Sequence, residues 1–171
     1  MKKVLLSTLL IGLFSFTTFA QRFAYIDTDY IMENIPEYKA AQRQIEELSV
    51  QWQKEVEEKF SAIDKMYKDY QAEAVLLPDD VKRQRENQII EAERVAKALQ
   101  MQRFGREGDL FKKREELIKP IQDKIYEAVQ EVATKGNYAI IFDKSSGATM
   151  IFTDVRFDLS DEVLQKMGYR K

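Results

Sequence analysis

Residues 72–82 read AEAVLLPDDVK, and the fold turns on them. On their N-terminal side, from Glu37 to Leu76, no proline or glycine interrupts a polar, helix-forming stretch. Apolar or small residues recur there at Tyr38, Ala41, Ile45, Leu48, Trp52, Val56, Phe60, Ile63, Tyr67, Tyr70, Ala74 and Leu77. The steps are mostly three and four, the spacing of a coiled-coil seam. On the C-terminal side Pro78 suits the first position of a new helix, and Asp79 and Asp80 suit the positive end of its dipole. A second helix is predicted from Pro78 to about Thr134, carrying Val81, Ala92, Val95, Leu99, Leu110, Leu117, Ile121, Ile125 and Val132. A connection as short as 77–80 forces the two helices back on each other as an antiparallel hairpin. At ~1.5 Å per residue such an arm is roughly 60 Å long. Charge supports the pairing: residues 33–77 hold six basic and ten acidic side chains, residues 82–119 eleven basic and seven acidic.

Irregularities of both helices converge at one height. Three successive steps of four between Leu48 and Phe60 form a stutter, which locally unwinds a supercoil. In the second helix Gly105 and Gly108 should each cost about 1 kcal/mol relative to alanine. With the turn centred near residues 78–79, Gly105 falls opposite Trp52 and Gly108 opposite Ser49. Two roles are open: room for the indole, or a hinge in the arm. The hinge is favoured, because two glycines exceed what one tryptophan needs. Pro120, whose ring clashes with the carbonyl of Glu116, is expected to kink the helix at the root of the arm, opposite Pro36. Gly105, Gly108 and Pro120 are thus the hinge candidates.

The flanks have another character. RFAYID (22–27) reads as a strand, TDYIMENIP (28–36) as a turn-like segment, and Gly136-Asn137 as the end of the second helix. NYAIIFD and ATMIFT, joined by KSSG, read as a β-hairpin. FDLSDEVLQKMG reads as a short C-terminal helix capped by Asp158 or Ser160, with Gly168 after its end. The fold class is therefore α+β. Three short strands and a small helix cannot bury Phe23, Tyr25, Ile26, Ile140, Ile141, Phe142, Met150, Ile151 and Phe152 within one chain. Exposed strand edges also pair with other chains. Assembly of several chains is expected, with Phe23, Tyr25, Ile26, Ile140, Phe142, Ile151 and Phe152 in the shared body.

Residues 1–20 read as a cleaved secretory signal peptide: Lys2-Lys3, an apolar run from Val4 to Phe16, and small residues at Thr18 and Ala20. The segment is short for a membrane span. Without it, 25 basic residues face 29 acidic ones, a net charge of −4 that argues against nucleic acid as a partner. The sequence has no cysteine, hence no lipoprotein anchor or disulfide, and no histidine. The commonest general base, the thiol nucleophile and the soft metal ligands are all missing, so neither an enzyme, a metal nor a cofactor is expected. Asp27 and Asp29 suit turn and cap roles better than acid–base catalysis. Lys144-Ser145-Ser146 suits a loop better than a Ser/Lys nucleophile.

The chain resembles the Skp/OmpH family of periplasmic chaperones over essentially its whole mature length. The match is carried by FAYIDTDYIMENIPEY at the start, the charged hairpin, LIKPIQDKIYEAVQEVATKGNYAIIFDKSSGATMIF, and DLSDEVLQKMG at the end. The resemblance implies a homotrimer whose strands form a common β-barrel body and whose helical arms enclose a cavity. It implies an ATP-independent holdase that keeps unfolded outer-membrane β-barrel proteins from aggregating in the periplasm. The division implied is residues 21–35 and 121–171 for the body and 36–120 for the arm, with its tip near 77–80. Met66, Tyr67, Tyr70, Leu76 and Leu77, which enrich the outer third of the arm in apolar surface, become candidate client contacts. Methionine suits such adaptable surfaces. Weak contact with the membrane surface or lipopolysaccharide is a further implication. It is weakened by this chain's mild acidity, because the best-known members are basic. The alternative is a structural coiled-coil protein that bridges cell-envelope components.

Overall fold

The computed structural model describes residues 22–147 and 150–169; the expected signal peptide lies outside the described residues. The chain begins with strand β1 (Arg22–Ile26) and helix α1 (Thr28–Glu33). Two long helices follow, α2 (Pro36–Glu73) and α3 (Asp79–Phe104). Helix α4 (Asp109–Gly136), strand β2 (Tyr138–Asp143), a 3-10 turn at Val155–Phe157 and helix α5 (Ser160–Lys166) complete it.

Helices α2 and α3 form the antiparallel hairpin, and α4 continues the returning limb to the base. Pro36 opens α2 and the two aspartates fill the first turn of α3, as their chemistry requires. The buried seam of α2 is Ala41, Ile45, Val56 and Ile63. Phe60 and Tyr67, expected in that seam, are exposed. After Val56 the stripe steps by seven to Ile63, which carries Phe60 out of the interface.

The second helix is not continuous. It stops at Phe104 and restarts at Asp109. Gly105 to Gly108 form a turn closed by the Gly108 N–H donating to the Gly105 carbonyl at 2.9 Å. Helix α4 runs through Pro120 and ends at Asn137, which takes the left-handed conformation (φ 52°) that asparagine tolerates.

At the base, β1 and β2 pair in parallel, from Arg22 opposite Tyr138 to Ile26 opposite Asp143, with a register shift after Arg22. This corrects the expected β-hairpin. Parallel strands need a long crossover, and the entire helical arm serves as one. The segment after β2 turns through Lys144–Gly147, and Met150–Thr153 is irregular; part of the expected third strand, residues 148 and 149, lies outside the described residues. The chain returns beside β1 instead through a Tyr25–Asp158 bridge and the Leu159 N–H donating to the Tyr25 carbonyl at 2.9 Å.

TDYIMENIP is a helical turn rather than a loop. Asp27 caps it by accepting from the Tyr30 N–H at 3.0 Å. Its Ile31 joins Ala24, Ile26, Ile35, Ala41, Ile121, Ile125, Ala128, Val132, Leu159, Val163 and Leu164 in one core. That core binds the root of α2, the end of α4 and α5. Polar ties reinforce it: the Asp27 N–H donates to Ser160 Oγ at 2.9 Å, and Ser160 donates to Asp158. Tyr169 donates to Glu37 at 2.9 Å, and Lys166 pairs with Glu131.

Candidate functional site

The arm has two apolar clusters with a polar node between them. The root belongs to the core just described. Farther out, Ile63, Ile89 and Ala96 form a second cluster, against which Met66, Tyr70 and Ala92 pack. Between the two the seam rests on Val56 and on Trp52, and here the returning limb is broken.

Arg103, in the last turn of α3, dominates this middle. Its Nη1 donates to Asp109 Oδ2 at 2.6 Å, across the break in the first turn of α4. Its Nε donates to Glu55 Oε2 on α2 at 3.1 Å. The guanidinium carbon sits 5.0 Å from the centre of the Trp52 ring, a cation–π contact. The hydrogen bond that Arg103 donates to Asp109, reinforced by Glu55, holds the Arg103 pKa above its ordinary value.

The two glycines have a steric reason that composition alone does not reveal. Both have extended backbones that any residue adopts (φ −63° and −74°). However, a Cβ on Gly105 would fall inside contact distance of the Met101 carbonyl oxygen. One on Gly108 would lie 2.7 Å from the Gln102 carbonyl oxygen and 2.9 Å from the Gly105 nitrogen. The chain's own backbone occupies the space, and the Trp52 indole is not among the nearest atoms at either position.

Of the candidate client contacts, the structure divides five residues into two groups. Met66 and Tyr70 are half-buried in the outer cluster. Tyr70 also donates to Glu86 on α3, which raises its pKa. Leu77 is half-buried in the turn. Tyr67 and Leu76 are exposed, Leu76 at 85 %, and Val75 beside it at 89 %. Val75 shares their exposure, although it is not among the candidates that the sequence suggests. Its signal was its place in the turn, off the three–four stripe. Beside this tip a groove of about 860 Å³ runs between α2 and α3, past Ala62, Ile63, Met66, Gln88, Ala92 and Val95.

The base presents a second apolar surface. Tyr25 and Ile26 are buried within the chain, but Phe23, Ile140 and Phe142 are roughly half exposed, and Ile151 and Phe152 stand 96 % and 84 % exposed. Phe23, Phe142, Met150, Phe152 and Phe157 line an open groove of about 630 Å³.

The residues weighed for catalysis have structural partners. Asp27 caps α1 and pairs with Lys144 at 3.4 Å. Asp29 is an exposed first-turn acid. Ser145 donates to Asp143 at 2.8 Å, and Ser146 donates to the Asp143 carbonyl at 2.8 Å. Burial pushes the Asp143 carboxyl up, but hydrogen bonds from Ser145 and Thr28 outweigh it and leave the pKa lowered.

The chain is thus a long charged hairpin arm rooted in a small mixed α/β base, with apolar side chains exposed at both ends. The chain belongs to the OmpH-like outer membrane protein family, whose model matches residues 22–167. A protein of Aquifex aeolicus (strain VF5) is 27 % identical over 162 residues, covering 95 % of this chain and 93 % of that one. The fold is similar to the crystal structure of a protein from Caulobacter crescentus CB15 described as a candidate outer membrane chaperone (OmpH-like). The TM-score is 0.69 at 12 % identity, over 86 % of this chain and 83 % of that one. Membership in this family supports a chaperone-like rather than a catalytic role.

Proposed function

We propose that this protein is an ATP-independent periplasmic holdase that keeps unfolded outer-membrane β-barrel proteins from aggregating. Three chains assemble through the apolar base, where Phe23, Ile140, Phe142, Ile151 and Phe152 cover one another and complete a shared β-barrel body. Tyr25 and Ile26 support that surface from within each chain. The three arms enclose a cavity, and clients touch its walls through many weak apolar and electrostatic contacts. Tyr67 and Leu76 supply apolar contacts near the tip, with Met66, Tyr70 and Leu77 beside them. Gly105 and Gly108 let the arm bend at mid-height, and Pro120 lets it bend at the root.

One observation carries the reading: the family match falls on a chain whose arm projects far from its core and keeps apolar residues exposed at its tip. A soluble monomer gains nothing from exposed Val75 and Leu76, whereas a surface for unfolded chains does. The test is capture from a wild-type cell envelope with tagged full-length protein. A spectrum of many unfolded β-barrel proteins is expected. Recovery of one folded envelope component in fixed ratio would instead identify a structural bridge.

A further inference from the structure

Whether the arm bends at its helix break depends on more than two glycines. We infer that Arg103 is a latch that holds the two pieces of the returning limb in one orientation, so that the arm switches between a latched and an open state. Three observations meet at this side chain. First, the backbone ladder is interrupted: the turn from Gly105 to Gly108 stands between α3 and α4. Second, the root core and the outer cluster of Ile63, Ile89 and Ala96 are separate, and on α2 Val56 is the buried residue between Ile45 and Ile63. Third, Arg103 joins all three helices around the gap. It belongs to α3, donates to Asp109 on α4 at 2.6 Å and to Glu55 on α2 at 3.1 Å, and lies over the Trp52 ring of α2.

The node is built for a switch rather than for permanent packing. Arg103, Glu55 and Asp109 are partly buried, with side-chain exposures of 23 %, 39 % and 29 %. Their attraction is therefore less screened than a surface pair, yet each group can be rehydrated when the link parts. Arginine suits this place because its planar fork serves two carboxylates while its face stacks on an aromatic ring. A lysine could not meet all three partners at once. Release of Arg103 leaves the 105–108 turn and a long Gln102–Asp109 contact of 3.5 Å to join α3 to α4, and α3 then reorients against α4 as far as the bending of continuous α2 allows.

The sequence lacks cysteine, so spin labels attach only where cysteine is introduced. Ile90 and Glu115 are exposed and lie on either side of the break. Full-length protein carrying Ile90→Cys and Glu115→Cys, diluted with unlabelled chain, reports the distance within one arm and requires no client. A single narrow distance population is expected. Arg103→Met, which keeps an unbranched apolar stem but removes the guanidinium, and Asp109→Asn, which preserves shape, should each broaden it. The double variant should be no broader than the wider single variant, because both changes break the same link. Arg106→Met, an exposed neighbour in the same turn, should stay narrow. If Arg103→Met does not fold, Asp109→Asn still reads the link across the break. Variants as narrow as the unsubstituted protein would overturn the latch. So would equal broadening by Arg106→Met, or fully additive broadening in the double variant. None of these outcomes depends on whether the protein binds clients.

Discussion

Tyr70 on α2 donates its hydroxyl to Glu86 on α3, clasping the two helices of the arm just inside its tip. The contact divides the apolar residues there by role. Tyr70 and Met66 hold the hairpin together, while Tyr67, Val75 and Leu76 face solvent.

Substitutions at the tip should therefore separate binding from stability. Leu76→Asp combined with Val75→Ser is expected to change folding stability by no more than about 0.5 kcal/mol, the usual range for exposed positions. The same pair should weaken protection of an unfolded client. Met66→Ser, by contrast, should lower the melting temperature, since Met66 packs against the outer cluster. Thermal melts paired with aggregation assays distinguish the two classes.

Gly105→Ala and Gly108→Ala should destabilise the protein, by roughly 1–3 kcal/mol for an overpacked site. Helix propensity alone would suggest the opposite sign, but the added methyl groups meet backbone atoms of residues 101–105. Adding Trp52→Leu to either variant should not restore the melt, because the indole is not what the methyl group meets.

Acid should weaken the base through Asp143. Its folded pKa lies below the ordinary carboxylate value of 3.8, so its contribution is fully present above that value and is lost as pH falls through the folded pKa. Asp143→Asn should lower stability at neutral pH and flatten the acid limb of a stability–pH curve. Chemical denaturation at a series of pH values between 2 and 7 reads both effects.

Much of this fold was legible in the sequence because its signals are local. The three–four stripe, Pro78-Asp79-Asp80 and Gly136-Asn137 act within a turn or two of themselves, and the hairpin follows from them. The break at 105–108 was only half legible. Its glycines stand out in the sequence, whereas the restart is signalled only by Gly108-Asp109, which repeats the acid-at-a-helix-start signature of the tip. The parallel pairing of β1 with β2 could not be read from KSSG, because a local turn signal says nothing of a partner more than a hundred residues away. The helical turn at Thr28–Glu33 was visible in principle through its Asp27 cap, yet six residues are too few for a periodic stripe to show.

The base offers a test of assembly that folding does not confound. Phe152→Asp alters a side chain that is 84 % exposed in the single chain. If three chains share this surface, the variant should sediment as a monomer while retaining its helical content. Tyr25→Asp should instead unfold the base, since Tyr25 is buried within its own chain.

Suppression of aggregation tests the central claim most directly. A urea-unfolded outer-membrane β-barrel protein is diluted into buffer without nucleotide, and light scattering is followed with and without one molar equivalent of assembled protein. The account predicts that scattering is suppressed in stoichiometric fashion and that added ATP changes nothing. Scattering that is undiminished at excess protein would contradict it.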